Sequence, residues 1–570
     1  MKIQQRTIPD VQHNLDSFSP LLQRLLLSRG ISNCEQLDFK LSRLLSPLSM
    51  KGIESASRLL ADAVQHQKRI LVVGDFDADG ATSTALTLRC LKAFGHGNVS
   101  YLVPNRFEFG YGLSPAIVRE AVNYQPDLIM TVDNGISSIE GVAEANRLGI
   151  QVVVTDHHLA GEQLPKAAAI VNPNQPGCEF ASKAMAGVGV AFYTMLALRK
   201  VLRDSGWFVS KGIEEPNMSQ FLDLVAVGTV SDLVPLDNNN RIMVAMGLER
   251  IRSGRAIPGI YALLQVAKRL PKNLTSTDIG FAIGPRINAA GRLDDMSEGI
   301  ECLLCDDPNQ ALELAAHLDS LNRGRKEIEL GMKEEAERYV DSLVASKGMP
   351  KGIVVYQADW HEGVIGIVAS RIKERFYRPV IAFAEANDGI KGSARSIPGL
   401  HMRDCLDLVD KQNPGLIKKF GGHAMAAGLT IELGAVDKFQ QALNYVLERH
   451  FQHVDFQKIL QTDGALSAQE MTLSNAELLA MSYPWGQQFP EPLFEGVFKV
   501  DSICILNGGH IKWTLLTEAG ELVDAIYFNV KAPELFESLL QVRLCYRLAV
   551  NEFRDRRSLQ LMVEYAEKLA

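Results

Sequence analysis

Between Lys51 and about residue 235 the chain alternates helical stretches with short runs that are apolar at nearly every position: Ile70 to Val73, Val99 to Val103, Leu128 to Val132, Val152 to Thr155 and Ala168 to Val171. A strand with one wet face alternates apolar and polar residues, whereas a strand covered on both faces does not. Continuous runs joined by helical crossovers therefore predict a mostly parallel sheet with helices on both sides. The apolar segment Leu222 to Val230 reads as a further element of that kind, ending at Ser231-Asp232. Phe192 to Val344 is otherwise largely helical in pattern. It closes on a charged run from Asn309 to Ala345, with only Gly324 and Gly331 as breakers, which predicts one long helix bridging two lobes.

A second α/β unit starts near Lys351, with a strand over Ile353 to Tyr356, a helix over Val364 to Phe376 and a strand over Val380 to Phe383. Beyond about Val454 the pattern turns to short strands: Gly496 to Val500, His510 to Leu516, Leu522 to Phe528, Leu544 to Val550 and Ser558 to Val563. Before the first sheet, Met1 to Met50 is a polar, Leu-rich lead-in with a helix expected over Ser19 to Ser28.

Chemistry collects where the buried runs end. Ile70 to Val73 is followed by Gly74-Asp75-Phe76-Asp77-Ala78-Asp79-Gly80, with Thr82 or Ser83 expected to cap the next helix. Leu128 to Val132 is followed by Asp133-Asn134-Gly135, and Val152 to Thr155 by Asp156-His157-His158. Open parallel sheets bind ligands outside the carboxyl ends of their strands. On such a sheet Asp75, Asp77, Asp79, Asp133, His157 and Asp232 share one rim, enough ligands for two octahedral cations. Oxygen-rich ligation with one imidazole suits Mn²⁺ or Mg²⁺ better than zinc. Two such ions about 4 Å apart support phosphoester hydrolysis. The acidic turn also begins like a calcium-binding EF-hand loop, but its twelfth position is Leu86 where a bidentate glutamate is required. An aspartate nucleophile after a strand passes the same local test, as does a plain solvated turn.

Two further stretches suit phosphate. Gly284 to Leu293, punctuated by glycines and carrying Arg286, Asn288 and Arg292, reads as a loop presenting guanidinium groups, with a structural loop as the competing account. Lys391 to Ser396 places Ser393 and Arg395 two apart on one strand face, where they can clamp a terminal phosphate. His423, within Gly421 to Gly428, lies among small residues that suit close ligand approach or a Gly/Ala-rich helix start.

The balance of the 570 residues changes this picture only at its edges. A net charge of −8 excludes indiscriminate coating of nucleic acid, because that needs clustered cations, but leaves room for a local basic channel. Eight scattered cysteines, of which only Cys302 and Cys305 are close, predict reduced thiols and no zinc site. A polar first twenty residues and the lack of any apolar span of membrane length lead to the expectation of a cytoplasmic protein without membrane contact.

The motifs Asp75-Phe76-Asp77-Ala78-Asp79-Gly80 and Asp156-His157-His158 resemble the DHH phosphoesterase superfamily. Their order, together with Asn105 to Leu113 and Gly228 to Leu236, resembles the RecJ single-strand-specific exonucleases. The resemblance implies a parallel-sheet DHH domain over 51–215 after a lead-in over 1–50, and a helical region with the long connecting helix over 216–345. It further implies a DHHA1 substrate-binding domain over 346–453, facing the metals across a cleft, and an OB-type barrel over 454–570. Periodicity alone does not choose the barrel. On the same ground Asp75, Asp77, Asp79, Asp133, His157 and Asp232 ligate two ions, His158 stands beside the scissile phosphate and Asp156 orients a histidine. Arg106 touches the nucleic acid near its 5′ end, while Ser393, Arg395 and His423 grip the strand. Trp513, Tyr527, Phe528 and Phe553 are candidates for stacking bases, with core packing as the alternative. The implied activity is 5′→3′ removal of mononucleotides from single-stranded DNA in recombination and repair. A single-strand-binding protein and a helicase are the implied partners. A relative acting on short oligonucleotides or cyclic dinucleotides would share the metal rim but have little use for the barrel, and a non-catalytic binding relative would have lost acids that this chain keeps.

Overall fold

The computed structural model describes residues 1–105, 112–386, 389–554 and 556–569. The chain divides into two compact units, a larger one of residues 4–291, 295–319 and 461–570 and a smaller one of 1–3, 292–294 and 320–460.

The larger unit holds a five-stranded sheet in the order Val99–Leu102, Ile70–Val73, Leu128–Val132, Gln151–Thr155, Ala169–Val171, with every neighbouring pair parallel. Ile70–Val73 is buried at all four positions, as its unbroken apolar run requires. The first strand in sequence lies second in space, so the chain order reverses between Ile70–Val73 and Leu128–Val132. The crevice at such a reversal is where doubly wound sheets take their ligands.

Leu222–Ser231 is a helix and not a strand end. All eight residues from Leu222 to Thr229 are buried, Asp223 included, so the element has no wet face and carries no 3.6-residue period to betray it. Gly284–Leu293 is likewise a helix, preceded by a π-helical turn over Ile279–Ile283, where the glycine punctuation suggests a loop. The charged run is one 40-residue helix, Pro308–Lys347.

The carboxyl-terminal strands Phe494–Leu506, His510–Leu516, Leu522–Tyr527, Gln541–Phe553 and Arg556–Lys568 close into a barrel in the order first, second, third, fifth, fourth. The third and fifth are parallel and the other pairs antiparallel, the OB topology. Trp513 is fully buried and belongs to the barrel core, whereas Phe528 and Phe553 are exposed. The segment before the barrel packs on the catalytic part of the same unit: the Trp485 carbonyl accepts from Ser276 Oγ, and the Gln487 carbonyl from the Leu236 amide.

The lead-in helix, Pro20–Leu27 capped by Ser19, is joined to the barrel segment by a buried ion pair. Arg29 reaches both oxygens of Asp463 at 2.8 and 2.9 Å, and the Leu493 amide also donates to that carboxylate. Both side chains are 1% exposed. Asp463→Ala is expected to cost about 3–5 kcal/mol in urea unfolding because it strands a buried guanidinium. The pair Arg29→Met with Asp463→Leu is expected to restore most of that loss, and a double variant no more stable than the single one contradicts the assignment.

In the smaller unit a five-stranded sheet runs Ile417–Gly422, Ala426–Ile431, Gly389–Arg395, Val380–Ala386, Ile353–Tyr356, parallel only between the last two. The stretch around His423 is thus a hairpin and not a helix start, and of its glycines Gly422, at φ +143°, is the one that approaches the facing strand closely, at Ala427. No helix among the described residues is long and apolar enough to cross a membrane.

Candidate active site

Asp75 and Asp77 leave the end of Ile70–Val73, and Asp133 leaves the end of Leu128–Val132, so both loops open onto the crevice at the reversal of strand order. Asp77, rather than Thr82 or Ser83, caps the next helix, Ala78–Ala93. Its Oδ1 accepts from the amides of Asp79 at 2.9 Å and Gly80 at 3.0 Å. Asp79 consequently sits on the first helical turn. There its carboxylate accepts from the amides of Gly187 at 2.6 Å and Val188 at 2.8 Å, at the start of the helix Gly187–Asp204. Asp133 has a left-handed backbone, φ +62°, costly for a side chain that does not require it and typical of functional turns. Asp232 arrives as the C-cap of Leu222–Ser231.

These residues converge. His157 Nε2 stands 3.1 Å from Asp133, 3.6 Å from Asp232 and 3.9 Å from Asp79. Donor atoms of Asp75, Asp77 and Asp133 lie within 4.8 Å of one another, as do those of Asp79, His157 and Asp232. Asp133 also groups with His157 and His158, which places it between the two sets.

Burial, reinforced by Asp77, pushes the Asp79 carboxyl up to about 7 despite the two amides that favour its ionised form. Burial and the neighbouring acids hold Asp133 and Asp232 well above the usual carboxylate range. Five acids around one imidazole in a desolvated crevice fit hard divalent cations. The donor set, oxygen with a single ligating nitrogen, is that of Mn²⁺ or Mg²⁺.

Asp156 is a bolt behind this rim. Its Oδ1 accepts from the amides of His157 and His158 and lies 2.8 Å from His158 Nδ1, while Oδ2 accepts from the Ile136 amide of the adjoining loop. Burial raises the Asp156 carboxyl, but these donors, His158 first, bring it below its ordinary value. Burial by itself lowers the His158 pKa; the Asp156 hydrogen bond and charge, with Asp75 and Asp77, outweigh it and raise the value to about 9.

Three segments match family models: the DHH family N-terminal domain at residues 69–229, the DHHA1 domain at 350–449 and the RecJ OB domain at 462–565. The single-stranded-DNA-specific exonuclease RecJ of Dickeya dadantii is 52% identical over 558 residues, spanning 96% of each chain. That of Escherichia coli is 50% identical over 572 residues, spanning 99% of this chain and 98% of its own. This chain belongs to the RecJ family. The crystal structure of RecJ from Thermus thermophilus in complex with Mn²⁺ superposes with a TM-score of 0.80 at 29% identity, covering 97% of this chain and 76% of that one. The Mg²⁺ complex gives 0.75 at 27%, covering 97% and 75%.

The other candidate residues separate by environment. Arg286 is committed to Asp319, at 3.0 Å through Nε and 2.8 Å through Nη2, and to the Ala282 carbonyl, so it is not a loop cation presented to phosphate. Asn288 Oδ1 accepts from the Ala78 amide at 2.8 Å and so steadies the acidic turn. Arg292, in the smaller unit, donates to the Gly363 carbonyl. Arg106 lies outside the described residues. Ser393 and Arg395 share the strand Gly389–Arg395 as expected, with Arg395 Nη1 donating to Ser393 Oγ at 2.9 Å. Burial lowers the Arg395 pKa, and no carboxylate pairs with it among the described residues. His423 is exposed at the hairpin turn.

Sequence pattern missed the backbone around the acids. A Cβ at Gly187 would lie 2.6 Å from Asp133 Cβ and Oδ1, and one at Gly291 would lie 1.9 Å from the Phe76 carbonyl. The only signal was the glycine repeat in Gly187-Val188-Gly189, directly before a helical run.

Proposed function

We propose that this chain is a metal-dependent exonuclease that hydrolyses single-stranded DNA from the 5′ end, releasing mononucleotides. The observation that carries the reading is the pair of donor sets joined through Asp133 at the reversal of strand order. Asp75, Asp77 and Asp133 would hold one cation, and Asp79, His157 and Asp232, again with Asp133, the second. Bound there, Mn²⁺ or Mg²⁺ supplies an acidified water and neutralises charge at the phosphate. The protein's own groups do the positioning. Asp156 engages His158 Nδ1, which leaves Nε2 as the atom that can donate a proton or hydrogen bond to a phosphate oxygen or the leaving oxygen. The amides of Gly187 and Val188 hold Asp79 in place.

In the smaller unit, Arg395 and Ser393 suit a terminal phosphate. A partly buried guanidinium with no carboxylate partner among the described residues is a standing demand for an anion. Arg395→Met is expected to raise the thermal midpoint of the DNA-free protein, since it removes a desolvated charge. It is also expected to weaken binding of a 5′-phosphorylated strand relative to a 5′-hydroxyl strand by about tenfold. Equal loss on both strands argues against a terminal-phosphate site. The family resemblance adds His423 and Arg106 to the strand contacts and Phe528 and Phe553 to the barrel's stacking candidates. It also adds a single-strand-binding protein and a helicase as partners, and a cytoplasmic role in recombination and mismatch repair.

The reading is tested by digesting 5′-labelled and 3′-labelled DNA, single- and double-stranded, with and without Mn²⁺. The expected result is rapid release of the 5′ label from single strands only, and only with metal. Release of the 3′ label first, or metal-independent digestion, contradicts it.

A further inference from the structure

Next to the acids in the chain, or on the turn packed against the helix that delivers Asp232, large apolar side chains are exposed that the hydrolytic chemistry does not use. Leu233, the residue after Asp232, is 70% exposed and has a left-handed backbone, φ +58°. A branched side chain in that conformation costs free energy, and an exposed one recovers nothing by packing. Phe281 is 79% exposed and sits in the π-helical turn Ile279–Ile283. The turn buries Ile279, Ala282 and Ile283 and leaves the aromatic ring outside. Such turns insert a residue into a helix at a cost and recur at functional sites. It packs against the last turn of the helix that delivers Asp232: a Cβ at Gly280 would lie 3.7 Å from Val230 Cγ1, and one at Gly284 2.4 Å from Ser231 Oγ. Leu159, next to His158, is 63% exposed.

We infer that Leu233 and Phe281, with Leu159, form an apolar platform on which the bases flanking the scissile phosphate lie. This rests on the nuclease reading above. A phosphate held at the acids puts its own nucleotide at Asp232 and His158, which Leu233 and Leu159 directly follow in the chain. An enzyme that must accept every base in turn needs contact with base faces, which all four share, and not hydrogen bonds to base edges, which differ. Aliphatic and aromatic surface with no donor or acceptor meets that need. The strained Leu233 backbone is then retained for where it holds its side chain.

The test uses the full-length protein with Mn²⁺ and two single strands of equal length, one normal and one carrying tetrahydrofuran abasic residues at its first three positions. Leu233→Asn keeps a residue that tolerates the left-handed backbone while removing the apolar surface, and Phe281→Ser alters an exposed position whose loss leaves no cavity. The wild type is expected to prefer the normal strand. Each variant is expected to raise KM for that strand about tenfold, equivalent to about 1.4 kcal/mol, with kcat within about twofold, and to narrow the preference over the abasic strand. Wild-type KM and preference in both variants overturn the platform, as does an equal KM increase on both strands, which is the outcome expected if these residues dock a protein partner or shape the site. A wild type that digests neither strand overturns the nuclease reading itself, and the platform with it.

Discussion

Asp133→Asn is expected to reduce Mn²⁺-dependent release of nucleotides by at least about 10³-fold, since it takes an anionic ligand from both cations at once. The substitution preserves shape, so the loss is electrostatic. Among the described residues, Asp133 is the one whose donor atoms belong to the set with Asp75 and Asp77 and also approach His157, itself grouped with Asp79 and Asp232. A second measurement separates this from simple damage. Burial and the charges of Asp79, Asp77, Asp75 and Asp232 hold the Asp133 carboxyl well above its usual range. An acid whose folded pKa is raised stabilises the fold least when ionised, and its penalty grows as pH climbs from the unfolded value of about 3.9 toward the folded one. Without metal, the wild type is therefore expected to lose stability as pH rises from about 4 to about 7, the range closed by Asp79 at about 7. Asp133→Asn should be the more stable protein at pH 7.5 without metal. With Mn²⁺ the order should reverse, because a ligand at 100 times its Kd adds about 2.7 kcal/mol only where it binds. Thermal melts with EDTA and with Mn²⁺ read both effects. A variant that melts below the wild type in EDTA, or shows the same Mn²⁺ shift, removes Asp133 from the centre of the site.

How much of this was legible in the chain follows from what kind of signal each part carries. Ile70–Val73 and Leu128–Val132 declare themselves because a strand covered on both faces has no polar positions, and the acids after them declare themselves because charged side chains at strand ends are conspicuous. The long helix Pro308–Lys347 differs from its expected bounds by two residues or fewer, since a charged run with only two glycines as breakers has few other conformations open to it. The helix Leu222–Ser231 is hidden by its own burial, because a segment buried all round has no wet face for periodicity to find. Glycines punctuate Gly284–Leu293 like a loop, yet the helical path runs on into it from Ser276 through the π-helical turn Ile279–Ile283. Arg286 looked available until Asp319, 33 residues on, came to meet it. Asp77 is one of three alternating acids, and nothing in the sequence shows that it caps the next helix as well as joining Asp75 and Asp133 in the metal set. What sequence cannot display at all is a backbone amide used as a side chain, which is how Gly187 and Val188 act on Asp79.

Gly187→Ala is expected to lower activity by about 10²-fold or more and stability by about 1–3 kcal/mol, although glycine to alanine at a helix start ordinarily stabilises by about 0.4–1 kcal/mol. The sign reverses because of what the new methyl meets. It would lie 2.6 Å from both Cβ and Oδ1 of Asp133, a separation real atoms do not adopt, so one partner must move. The helix cannot retreat without lengthening the 2.6 Å bond from the Gly187 amide to Asp79, and Asp133 cannot swing aside without leaving the sets it shares with Asp75, Asp77 and His157. Either response opens the metal site from a position that ligates nothing. Gly189→Ala, two residues along the same helix, provides the contrast: its methyl would meet the end of the Met185 side chain at 2.7 Å and that of Met243 at 3.6 Å, flexible groups that can turn away. It is expected to stay within about 0.5 kcal/mol of the wild type and to keep its activity. Melts and Mn²⁺-dependent digestion of the two variants side by side decide the matter. If Gly187→Ala behaves like Gly189→Ala, the approach of this helix to Asp133 is not what holds the acids in register.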